Sequence, residues 1–78
     1  MEFLRTHDAA RDCLAAAVPG GRVAIERCAR GSELARSYTI TVPRFGREPL
    51  TVGHVYALPV PAESLRRSVA TLLAPLGR

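Results

Sequence analysis

The chain has 78 residues, of which 47% are apolar, and a formal charge of +4. A chain this short buries only about 60% of its unfolded surface, so it supports one small core and a single domain over residues 1–78. That apolar fraction excludes a disordered chain, and no apolar run approaches the roughly 20 residues that cross a bilayer.

At the start, Phe3 and Leu4 form a brief apolar pair among Glu2, Arg5 and Asp8. That pattern is not a signal peptide, and a soluble cytoplasmic protein is expected. Thr6 is placed to cap a first helix, with Asp8 in its first turn. Ala9, Ala10, Cys13, Leu14, Ala17 and Val18 then form one helical stripe, and Pro19-Gly20-Gly21 ends it. A first strand is expected from Arg22 to Ala29, with Val23 and Ile25 on one face and Arg22, Ala24 and Glu26 on the other. Arg27 falls on the apolar face, so the strand leaves the core there or the side chain snorkels at an edge.

The second strand, Ser37 to Val42, alternates Tyr38, Ile40 and Val42 against Ser37, Thr39 and Thr41, and Pro43 is expected to stop it. The turn Pro43-Arg44-Phe45-Gly46-Arg47-Glu48-Pro49 leads into a third strand. There Leu50, Val52, Tyr56 and Leu58 share a face with His54, and a bulge at Gly53 is the alternative that would move His54 off the core side as an exposed contact residue. His54 reads as a partly buried side chain with a backbone partner. Pro61 suits the first position of a last helix, whose stripe is Ala62, Leu65, Val69, Leu72, Leu73 and Leu76. Pro75 and Gly77 close it. The fold class is therefore α+β, in the order α-β-β-β-α. Short connections make the sheet a three-stranded antiparallel meander with both helices on one face. The opposite face, of Thr, Ser, Gly, Ala and Val, is open to water or to a second sheet.

Catalytic signatures are lacking. Only Cys13 or Cys28 with His7 or His54 offers a nucleophile and a base, and no local motif such as G-x-S-x-G frames them. Cys13, Cys28 and His54 are scattered singles rather than a zinc set, and no P-loop or dinucleotide fingerprint occurs. Two cysteines are too few for a disulfide scaffold, and both read as buried, reduced thiols. We expect no catalytic residues, no metal and no cofactor.

The turn is the least bland stretch. A Phe between two Arg at a hairpin tip serves no evident folding need, and aromatic plus Arg is the composition of binding hot spots and of base-stacking surfaces; the alternative is that Phe45 folds back under the helices and the arginines merely solvate the tip. Meander geometry brings Arg22 to the same end, so Arg22, Arg44, Phe45 and Arg47 are the candidate partner-binding residues. Arg30, Arg36, Arg66 and Arg67 lie toward the other end, either as an alternative nucleic-acid-binding set or as surface charge paired with Glu26, Glu33 and Glu63. All eleven basic residues are Arg. Codon bias in a GC-rich genome explains that, although Arg also suits bidentate recognition of carboxylate and phosphate.

The α-β-β-β-α order resembles the double-stranded-RNA-binding domain, which implies two helices on a three-stranded sheet and RNA held at the start of the last helix. In this chain that place carries Ser64-Leu65-Arg66-Arg67-Ser68, so only Arg66 and Arg67 stand where the family has a Lys-rich run. In size and architecture the chain is also similar to small phage-encoded anti-CRISPR proteins. That resemblance implies a non-enzymatic inhibitor that occludes an acidic protein or nucleoprotein surface. A nucleic-acid-binding module is the alternative, and the oligomeric state is a monomer or a homodimer through the open sheet face.

Overall fold

The computed structural model describes residues 2–29 and 33–74. Along the chain these form β1 (Phe3–Leu4), α1 (His7–Ala17), β2 (Arg22–Arg27), β3 (Ala35–Arg44), β4 (Arg47–Ala57), β5 (Val60–Pro61) and α2 (Ala62–Leu73). The α+β class and the antiparallel meander β2-β3-β4 are as the sequence pattern requires. A two-stranded ribbon, β1 with β5, is added to them. The expected Arg30 contact, and the Leu76, Pro75 and Gly77 expectations, lie outside the described residues.

The two helices cover one sheet face. α1 lies against β2, α2 lies against β4, and the helices touch each other. Ala10 and Leu14 of α1 and Leu65 and Val69 of α2 meet Tyr38 and Ile40 of the central strand, and all six are buried. Ala at position 10 lets α1 sit close to its neighbours, while Leu14, fully buried, contributes about 2 kcal/mol by its burial. α1 starts as predicted: the Thr6 hydroxyl accepts the Ala9 N–H at 3.1 Å. Pro61 is not the first helical residue of α2 but the one before it. With no side-chain cap, the Ala62 N–H donates instead to the Glu2 carbonyl at 2.9 Å, so the ribbon caps the last helix.

Several expectations about the strands need correction. β2 ends at Arg27, before Ala29. β3 does not stop at Pro43 but runs through it to Arg44, with the ladder's irregularity between Val42 and Arg44. Pro43 cannot donate to a ladder, and it is tolerated because β2 begins at Arg22, opposite Thr41, and reaches no further. Gly53 marks no bulge, since the register from Ala35↔Ala57 to Val42↔Leu50 is unbroken. The glycine is needed for close approach: a Cβ there would stand 2.7 Å from the Tyr38 carbonyl oxygen. The supposed seven-residue turn is a two-residue one, Phe45-Gly46, with Gly46 at φ +71° supplying the left-handed conformation.

Candidate functional site

The hairpin tip is built by the longest pairing in the molecule, β3 with β4. That ladder carries Phe45 out beyond the body, where the ring is fully exposed. Arg44 and Arg47 sit directly opposite each other across the hairpin. The Arg44 Nε–H donates to the Glu48 carbonyl at 2.8 Å, which fixes that side chain and leaves the Arg47 side chain exposed. Like charges facing across a ladder disfavour pairing, and an exposed aromatic ring adds nothing to the core. Both features run against the local needs of the fold, which is where functional residues are expected.

Arg22 lies at the same end, paired with Thr41 and exposed. Beside it is a shallow depression of about 410 Å³ lined by Gly20, Arg22, Thr41, Pro43 and Pro49. Arg22, Arg44 and Arg47 gather three guanidinium groups at this pole, and none of them forms an ion pair among the described residues. The tip therefore offers a protruding ring, flanking cations and an adjacent hollow, which suits an acidic surface with an apolar pocket.

The alternative arginine set is placed differently. Arg66 lies 3.8 Å from Glu2 and Arg67 lies 3.5 Å from Glu63. Arg36 donates to the carbonyl of Ala35. These exposed pairs are weak, yet they set carboxylates beside the two guanidinium groups that would face phosphates. Of the acids expected to pair this set, Glu63 does so, and Glu2 takes the place of Glu26 and Glu33 for the described residues.

His54 does not take the partly buried position expected of it. His54 is on the helix side of β4 but exposed, on a strand at the edge of the sheet. Its cleft of about 430 Å³ is lined by Ser64, Arg67, Ser68, Thr71 and Leu72. His7 is the embedded one. Its Nε2–H donates to the Glu33 carbonyl at 2.8 Å, and in the neutral ring Nδ1 accepts from the Tyr56 hydroxyl at 2.7 Å. The ring also meets Tyr56 edge-on at 5.6 Å between centroids. Burial pushes the Tyr56 phenol above its usual range, with Arg36 and Arg11 pulling against that shift, and burial alone raises Tyr38. The buried Tyr38 hydroxyl has no hydrogen-bond partner among the described residues.

Cys13 and Cys28 are free thiols, half-buried rather than fully buried as expected. Cys13 Sγ approaches the Ala62 carbonyl at 3.9 Å, and both nitrogens of His7 are engaged by oxygen. Among the described residues no three His, Cys, Asp or Glu side chains gather as a metal site, and no helix is long and apolar enough to cross a membrane. No family model matches the chain, and neither a curated protein nor a solved structure is significantly similar to it.

Proposed function

We propose that this chain is a non-enzymatic binding protein that inhibits by occlusion, as the likeness to anti-CRISPR proteins implies. It presents Arg44, Phe45, Arg47 and Arg22 to an acidic surface of a protein or nucleoprotein complex. The observation that carries this reading is the fully exposed Phe45 at the end of a long, well-paired hairpin, between arginines that oppose each other. Burying that ring in a partner's pocket supplies the affinity, and Arg47 and Arg22 pair with carboxylates at the rim. The rigid ladder behind the tip reduces the ordering cost of binding.

The test is a pull-down from the native host lysate with immobilised wild-type protein and Phe45→Ala, each with and without nuclease and across a salt series. A captured partner that survives nuclease, depends mildly on salt and is lost with Phe45→Ala supports the reading. Capture indifferent to Phe45→Ala but abolished by nuclease and by salt overturns it. That second result favours phosphate contacts by Arg36, Arg66 and Arg67.

A further inference from the structure

The sheet face turned away from the helices is ordered in three rows. Because directly paired residues share a face, the register sets Arg22, Thr41 and Thr51 in one row. Ala24, Thr39 and Gly53 form the next, and Glu26, Ser37 and Val55 the third. Seven of the nine are exposed, and Thr41 and Ser37 are half-buried. The middle row is small throughout. The outer rows are complements of each other: a cation against an anion, a hydroxyl against a hydroxyl, and a threonine methyl against a valine. Neither Arg22 nor Glu26 forms an ion pair among the described residues.

We infer that this face binds a second copy of the chain, related by a two-fold axis lying between the sheets, perpendicular to the strands, over Ala24, Thr39 and Gly53. Such an axis lays each row upon its opposite. Arg22 meets the other copy's Glu26 twice, Thr41 meets Ser37, and Thr51 meets Val55. The middle row meets itself, and its small side chains let the sheets close to about 10 Å or less. A two-fold axis along the strands is worse. It sets Arg22 over Thr51 and Glu26 over Val55, leaving both charges without a partner. The self-complementarity of one patch is what an isologous interface demands.

The patch measures about 14 Å by about 17 Å from strand spacing and rise. That is well below the roughly 800 Å² per partner of a stable interface, so the dimer is weak and forms at high protein concentration. Sheet twist turns the two sets of strands about 30° from alignment, which the length of Arg22 absorbs. The inference concerns a different face from the tip: Arg22 borders both surfaces, Arg44, Phe45 and Arg47 lie beyond the dimer patch, and Glu26 and Thr39 belong to the dimer patch alone.

Sedimentation velocity over a concentration series, with no partner present, tests it. Arg22→Glu and Glu26→Arg should each weaken association by about tenfold or more, since each sets like charges together at two symmetric places. The double variant should return to near wild-type association, because the swapped pair is again complementary. Thr39→Arg, on the axis, should leave only monomer. Thermal melts of all four variants at low concentration should superimpose on wild type, because every altered side chain faces water in the monomer. A wild-type protein monomeric at every concentration overturns the inference. So does a dimer indifferent to Thr39→Arg, or a double variant that fails to recover.

Discussion

The two ends of the sheet are built to opposite rules. At one end, β1 and β5 pair, the Glu2 carbonyl caps α2, and His7 ties α1 to Tyr56 and to the loop at Glu33. Both helices start there. At the other end two strands run on past the body to Phe45, and one bond from Arg44 to the Glu48 carbonyl secures the tip. The tied end joins both helices to the sheet, whereas the free end is held by its ladder and that one arginine bond and is available for contact.

The largest expected break in this contrast is at the tied end. Leu4→Ala should cost about 2–4 kcal/mol in urea unfolding, because Leu4 is buried and its strand caps α2. For a domain of this size that is a large share of total stability. Next, His7→Ala should cost about 1–2 kcal/mol by stranding the Tyr56 hydroxyl, and Tyr56→Phe about 1 kcal/mol, measured the same way. A Tyr56→Phe variant as stable as wild type would deny that the hydroxyl matters.

A smaller effect belongs to alkaline pH. Burial raises both Tyr38 and Tyr56, so the folded state favours the neutral phenol. Their contribution is complete below the unfolded tyrosine pKa of about 10 and is lost as pH rises through the higher folded values. Melting temperature should therefore fall above about pH 10, with a shallower fall in Tyr38→Phe. At neutral pH that variant should be neutral or slightly more stable, since it removes an unpartnered buried hydroxyl. The smallest change should come from Phe45→Ala, within about 0.5 kcal/mol of wild type by thermal melt. A cost of several times that would place the ring within the fold and erase the difference between the two ends.

Much of this contrast was legible in the residues. Alternation over Ser37–Val42 and the stripes of the two helices specify the meander and its covered face, because burial imposes those periods. The placement of Arg22 near the tip also follows from meander geometry. The ribbon was not legible, since two residues carry no period, and a pairing of Leu4 with Val60 leaves no local trace. His7 and Tyr56 met for the same reason without warning in the sequence. Pro43 misled because its effect depends on where the neighbouring strand ends, and Gly53 because a bulge and a close approach call for the same residue. The exposure of His54 is not legible, because a strand's pattern tells which way a side chain points, not how far the cover above it extends.

The pairing of Leu4 with Val60 also bears on when folding can finish. A ribosome makes the chain in order, so Phe3 and Leu4 must wait for the whole stretch up to Val60 and Pro61 before their strand has a partner. Until then α2 lacks the carbonyl that caps it, and the newly made chain exposes apolar surface that the finished fold hides.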